Sequence, residues 1–114
     1  MWQKAHALSL SVSALCDRFA SRKPGLAKQL ERAAEAIAAH ISEGRGRATD
    51  RDFSHFLSMA IGSANEAENH LQKAFDYRLI TAASFESHLV RTVEVRKMLI
   101  GLKKKLDGRE KGPE

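Results

Sequence analysis

The amino-acid sequence predicts an all-α fold, an antiparallel up-down-up-down four-helix bundle, and three observations support this prediction. Apolar side chains recur at helical spacings of three and four residues in four successive segments. The chain holds only 2 Pro, 7 Gly and 6% aromatic residues, which is too few for a turn-rich all-β fold. The connections between the segments are short, so consecutive helices should pack side by side in opposite directions.

The first two predicted helices cover residues 2–20 and 24–43. The apolar stripe of the first is broad enough to face a bundle core. Pro24 suits the first turn of the second helix, because its missing N–H is not needed there. The second helix is rich in alanine, a strong helix former, and Gly44 is expected to end it as a left-handed cap.

The other two predicted helices cover residues 50–77 and 82–106. Thr49 and Thr81 precede them as expected N-caps. The length of 114 residues favours one domain, so residues 1–106 form the predicted bundle. Residues 107–114 are polar and lack apolar side chains, and the sequence predicts a disordered tail there.

Composition argues against several functional classes. Cys16 is the single cysteine, so neither a disulfide framework nor a multi-cysteine zinc site is expected, and its place on the apolar stripe favours a core residue over a nucleophile. The five histidines show no zinc spacing and no Glu-x-x-His pair, which di-iron bundles need. We therefore expect no metal and no cofactor. No apolar run approaches ~18 residues and no signal-peptide stretch is present, which predicts a cytoplasmic protein.

Positive charge is concentrated late in the sequence. Lys and Arg number 19 against 14 Asp and Glu, a net charge of +5, and residues 91–114 carry 8 of these cations and 4 of the anions. Lys103, Lys104 and Lys105 are candidates for binding the phosphates of RNA or DNA without sequence specificity. A second interpretation stays open, in which the three lysines complement the helix dipole on a solvated face.

The segment Glu43-Gly44-Arg45-Gly46-Arg47 is the most distinctive connection. Glycine lets a backbone approach a phosphate closely, and Arg45 and Arg47 could clamp it. The alternative is that Gly44 only caps the second helix and both arginines are solvated. Glu43 precedes the third helix, whose free N–H groups attract a carboxylate, so we expect Glu43 to anchor this connection.

Polar and small residues inside the helical segments allow two interpretations. Gln29, Arg32 and Glu66 could form a buried hydrogen-bonded network that fixes register or a subunit contact, or they are ordinary exposed residues. Ser63 lies in a stretch of small residues on the third helix, which favours close helix packing within the bundle or between subunits.

Two patterns carry a resemblance to a known family. The sequence reads I-x-x-x-I-x-E-G-x-x-R over residues 37–47 and A-x-G-S-x-x-E over residues 60–66. Together they resemble the small bacterial four-helix-bundle proteins first noted as reading frames within intervening sequences of 23S ribosomal RNA genes. Relatives include the accessory protein of diversity-generating retroelements. The family pattern includes Gln29, Arg32, Glu43, Gly44, Ser63 and Glu66, whereas His40 stands where the family usually has Asn.

The resemblance implies a four-helix bundle that assembles into a ring-like homo-oligomer, commonly a pentamer, and it implies no catalysis. The retroelement relatives imply binding to nucleic acid and to a reverse transcriptase. We therefore expect a non-catalytic scaffold that binds RNA or DNA through Arg45, Arg47 and the three lysines 103–105. The competing expectation is a protein–protein interaction module whose charge serves solubility.

Overall fold

The computed structural model describes the backbone of residues 1–111 and the side chains of residues 1–109. Within this range the chain forms an all-α four-helix bundle, which confirms the predicted fold class. The bundle is elongated, 55 × 21 × 19 Å. Its helices are α1 (Trp2–Asp17), α2 (Pro24–Arg45), α3 (Asp50–Asp76) and α4 (Ala82–Lys111).

The order of the helices determines which segments meet. Consecutive helices pack together, α2 on α3 most extensively, whereas α1 packs much less extensively on α4. As a result α1 begins, α2 ends, α3 begins and α4 ends at the same end of the bundle, which we call the α2–α3 end. The opposite end carries the α1–α2 and α3–α4 connections.

The core is a single apolar cluster contributed by all four helices. Each fully buried Leu or Ile side chain contributes about 1.5–3 kcal/mol to folding. Ala60, Ala64 and Ala67 on α3 are completely buried, so these small residues let neighbouring helices approach closely. The largest side chains of the core are Phe19, Leu8, Leu30, Ile37, Ile41, Leu57, Leu71, Leu99 and Leu106.

Both predicted threonine caps are present. The hydroxyl of Thr49 accepts a hydrogen bond from the Asp52 amide at 3.1 Å, and that of Thr81 accepts one from the Ser84 amide at 3.1 Å. The first helix, however, ends at Asp17 rather than at residue 20. The Phe19 amide bonds to the Cys16 carbonyl three residues back, which tightens the chain into a turn.

Gly44 does not cap α2, and this prediction was wrong. The helix continues to Arg45, and its C-cap is Gly46 with a φ of −83°. Gly44 is buried, and a Cβ at this position would lie 2.8 Å from Cδ1 of Phe53 and 2.8 Å from Cβ of Phe56. The glycine is therefore required because α3 packs so closely against α2, not because of a turn.

The predicted tail from Asp107 was also wrong for residues 107–111, which continue α4. Lys103 and Asp107, four residues apart on α4, form an ion pair of 2.8 Å between Nζ and Oδ2. The Nε of Arg109 lies 3.3 Å from Oδ2 of Asp50 at the start of α3. The Ser54 hydroxyl of α3 also donates to Oδ1 of Asp107 at 2.5 Å, and this bond and the Arg109–Asp50 pair tie the last turns of α4 to the bundle. Residues 112–114 lie outside the described part of the chain.

Candidate nucleic-acid interface

The structure brings the predicted basic residues of α2 and α4 to the α2–α3 end. Arg45 and Leu102 line the same cleft, which places the last turn of α2 beside the turn of α4 that leads into the lysines. The ammonium of Lys103 donates a hydrogen bond to the Ser54 hydroxyl of α3 at 3.2 Å. Residues separated by more than 50 positions in the sequence thus share one surface.

Two of the five predicted cations are engaged in contacts within the chain. Arg47 donates from Nη2 to Oε1 of Glu43 at 2.8 Å, and its guanidinium lies 4.7 Å from the centre of the Phe56 ring. Lys103 is paired with Asp107 and bonded to Ser54. Both side chains therefore stabilise the local structure, and much of their charge is already balanced.

Arg45, Lys104 and Lys105 are exposed and form no ion pair with any residue that the structure describes. We call these three residues the unpaired cations. Because their charge is not balanced by a neighbouring carboxylate, they are the ones that can bind a phosphate without first breaking an internal contact.

Glu43 does not anchor the α2–α3 connection in the predicted way. Its carboxylate accepts from Arg47, four residues later, while the α3 N-terminus is capped by Thr49. The carboxylate and the guanidinium are both partly exposed, so this pair contributes at most about 1 kcal/mol to stability.

Positive charge is not confined to the α2–α3 end. Arg51 and Arg109 also lie there; the sequence indicated Arg109 only as a member of the basic run of residues 91–114, and it did not indicate Arg51. The opposite end carries exposed cations as well, including Arg18, Arg22 and Lys23, and the Lys23 ammonium lies 4.5 Å from the centre of the Tyr77 ring. A test of the interface must therefore compare the two ends.

The proposed buried polar network is not formed. Gln29, Arg32 and Glu66 are all exposed, which is the second of the two interpretations the sequence allowed. Oε1 of Glu66 lies 3.4 Å from Nε2 of His70 on the same helix. Ser63 is only 8% exposed and belongs to the buried small-residue face of α3.

Cys16 behaves as a core residue. It is 1% exposed, and burial, reinforced by the charges of Glu31 and Asp17, raises the pKa of its thiol to about 12. A thiol that stays protonated at neutral pH is a poor nucleophile.

Two polar side-chain contacts join α1 to α4, the pair of neighbouring helices that packs least extensively. Lys4 is hydrogen-bonded and ion-paired to Glu94, and this contact is the main reason why the pKa of the Glu94 carboxyl is lowered. The Ser11 hydroxyl lies 2.8 Å from Nε2 of His88, whose Nδ1 lies 2.7 Å from the Ser84 carbonyl. A neutral imidazole that donates from Nδ1 and accepts at Nε2 satisfies both contacts.

A cleft that the sequence did not predict lies beside Arg45. Trp2 and Arg45 both line it, together with Ile41, Phe53 and Leu102, and its volume is about 330 Å³. The Trp2 ring stacks on His6 with 4.8 Å between ring centres and 7° between the planes. The up-down topology places the starts of α1 and α3 at the same end of the bundle as the ends of α2 and α4. This topology was predicted, and it could have indicated that Trp2 and Arg45 lie close together.

Among the described residues no three His, Cys, Asp or Glu side chains lie close enough together to hold a metal ion. In the same part of the chain, no helix combines the length and the apolar character needed to cross a membrane.

Comparison with known proteins agrees with the fold. The family model described as 23S rRNA-intervening sequence protein matches residues 1–101. A crystal structure from Bacteroides thetaiotaomicron, of a protein with unknown function from the S23 ribosomal protein family, is similar with a TM-score of 0.86. The two chains are 26% identical, and the similarity covers 90% of this chain and 97% of the other. No curated protein matches this chain.

Proposed function

This chain belongs to the 23S rRNA-intervening sequence protein family, and we propose that it is a non-catalytic, homo-oligomeric scaffold that binds RNA or DNA without sequence specificity. The observation that supports this function is the set of unpaired cations, Arg45, Lys104 and Lys105, which two helices contribute to the α2–α3 end. The expected cytoplasmic location is part of the same proposal.

Exposed lysine and arginine side chains bind nucleic acid chiefly by displacing counterions from the phosphates. Such binding carries no sequence information, because the phosphates are the same in every sequence. In the ring-like assembly that the family resemblance implies, several copies of the α2–α3 end would act together. Weak contacts made by several subunits with one nucleic-acid strand would together give a much higher affinity than one contact alone.

A mobility shift at low salt tests the nucleic-acid function. The probes are one labelled single-stranded RNA, the same sequence as single-stranded DNA, and a duplex. The test variant combines Arg45→Gln, Lys104→Gln and Lys105→Gln. The matched control combines Arg18→Gln, Arg22→Gln and Lys28→Gln, which removes the same charge from exposed residues towards the opposite end.

We expect wild-type retention of the probes, a loss of roughly 10-fold or more in affinity for the test variant, and a smaller loss for the control. Equal losses would show that overall charge, not the α2–α3 end, determines binding. If wild-type protein retains none of the probes, the nucleic-acid function is wrong.

The homo-oligomeric part of the proposal has its own support. Leu10 on α1 and Val90 on α4 are 59% and 60% exposed. Val90, Leu89 and Val93 line a predominantly apolar groove on α4. Covering such a surface with a second copy removes apolar area from water, which favours association. Light scattering of wild type and of Val90→Glu tests this, and a wild-type monomer at micromolar concentration would contradict it.

The same groove favours a second candidate function, a protein–protein interaction module. In this alternative the apolar groove of α4 receives a partner protein, such as the reverse transcriptase that the retroelement relatives imply, and the charge serves solubility. The triple substitution of the unpaired cations distinguishes the two functions, because Val90→Glu is expected to disturb both the homo-oligomer and a bound partner. Partner binding would be abolished by Val90→Glu and would be unaffected by the triple substitution of the unpaired cations.

A further inference from the structure

The cleft between the start of α1 and the end of α2 combines an aromatic ring with a cation. Trp2 and Arg45 line two adjoining clefts of about 330 and 360 Å³. The first has an apolar wall formed by Ile41, Phe53 and Leu102, and the second is bordered by Ser42 and Gly46. These volumes lie at the lower end of those found for small-molecule sites.

The Trp2 ring is held in place before any ligand arrives. It is half-buried, packs against the core cluster and stacks on His6. His6 itself borders neither cleft, so the imidazole does not occupy the space that Trp2 lines. A ligand that stacks there meets an oriented aromatic surface, and little conformational entropy is lost.

Arg45 supplies the positive charge that a ligand with both an aromatic ring and a phosphate would need. It is exposed and forms no ion pair with the described residues, and Glu43, two residues earlier and therefore on another face of α2, is bonded to Arg47. Its guanidinium is therefore available for bidentate binding to a phosphate. The adjacent hydroxyl of Ser42 and the side-chain amide of Gln3 add polar groups at the rim.

We propose that Trp2 and Arg45 form a subsite for one unpaired nucleotide of a single strand, with the base against the indole and the phosphate on the guanidinium. The proposal rests on the proposed nucleic-acid function and makes it more specific. Every base has a π-face, so stacking tolerates any sequence, whereas a base within a duplex is already stacked and cannot enter the cleft.

Trp2 is the only tryptophan in the chain, so its fluorescence reports on the subsite directly. The full chain is titrated with a short single-stranded oligonucleotide, with a duplex of the same sequence and with polyglutamate, an acidic polypeptide without bases. We expect saturable quenching by the single strand and little quenching by the duplex or by polyglutamate.

Variants are measured by the anisotropy of a labelled single strand, which needs no tryptophan. Trp2→Ala should weaken binding roughly 5- to 150-fold, the range typical of losing one base–aromatic stack, and Trp2→Phe should retain most of the affinity. Arg45→Gln should also weaken it. The matched control is Tyr77→Ala, which removes an exposed aromatic ring beside a cation, Lys23, at the opposite end.

The outcomes separate the subsite from the proposed function. If the single strand is retained in a mobility shift but neither quenches Trp2 nor binds more weakly to Trp2→Ala, the subsite is wrong and the broader function stands. If no nucleic acid is retained at all, both are wrong. Quenching by polyglutamate equal to that by the single strand would mean that the cleft binds acidic peptides, which also overturns the subsite.

Discussion

Gly44 of α2 lies so close to Phe56 of α3 that a Cβ at position 44 would stand 2.8 Å from the Cβ of Phe56. This contact joins the last turn of α2 to the first turns of α3. It therefore fixes where the following residues, Arg45 and Arg47, are held relative to the rest of the α2–α3 end. The position of the candidate interface depends on a glycine that contributes no chemistry of its own.

Gly44→Ala should destabilise the protein by about 1–3 kcal/mol, because the added methyl group is forced against the Cβ of Phe56, which cannot rotate away. Helix propensity alone would predict the reverse, a gain of about 1 kcal/mol. Chemical denaturation followed by circular dichroism measures the difference in the free energy of unfolding.

Gly62→Ala is the matched control for this prediction. Gly62 lies inside α3, and a Cβ there would meet nothing within 4 Å. Here the propensity gain should appear, about 0.5–1 kcal/mol of added stability. If Gly44→Ala were as stable as Gly62→Ala, the close contact between α2 and α3 would not have the importance assigned to it.

The thiol of Cys16 should resist alkylation in the native protein at pH 9, the ordinary pKa of a cysteine, because burial raises its pKa to about 12. In denaturant the same thiol should react at once. Mass spectrometry after treatment with iodoacetamide measures both states. Rapid modification of the folded protein would contradict the core position of Cys16.

The same thiol predicts a pH dependence of stability. Above about pH 9 the unfolded thiol loses its proton while the folded one keeps it until about pH 12. The unfolded state then binds fewer protons, so stability should fall as pH rises through this interval. Cys16→Ala should show a weaker fall than wild type over the same range, since its lysines and tyrosine titrate in both proteins.

The Lys4–Glu94 pair should contribute a small stabilisation that disappears in acid. The Lys4 contact lowers the pKa of Glu94, so the contribution is present above the ordinary carboxyl pKa and is lost as pH falls through the lower folded value. Glu94→Gln should therefore lower the Tm slightly at pH 7 and leave it unchanged in strong acid. A difference that persists in acid would point to packing instead of charge.

The fold could be predicted from the sequence because helical periodicity and capping depend on residues that are close together in the chain. The two threonine caps were placed correctly for that reason. The end of α4 was not, since polar residues after Leu106 gave no local signal, and the contact that holds them, between Arg109 and Asp50, joins distant parts of the chain. Arg78, two residues after the end of α3, has a φ of 61°, a left-handed conformation for which the sequence offers no glycine.

The candidate site could be predicted from the sequence only in part. Charge and glycine content identified Arg45 and the lysines, but the internal partners of Arg47 and Lys103 depend on the packed structure. Trp2 was not among the predicted site residues. Its role beside Arg45 becomes visible when the start of α1 and the end of α2 share one cleft.

The most direct test of the central claim is the salt dependence of binding to a single-stranded oligonucleotide. Each phosphate contact contributes about 0.7 to the slope of log affinity against log salt concentration. Removing Arg45, Lys104 and Lys105 together should therefore reduce the slope by about 2, whereas the control variant with Arg18, Arg22 and Lys28 replaced should keep the wild-type slope. Identical slopes for wild type and the triple variant of the unpaired cations would contradict the assignment of the interface to the α2–α3 end.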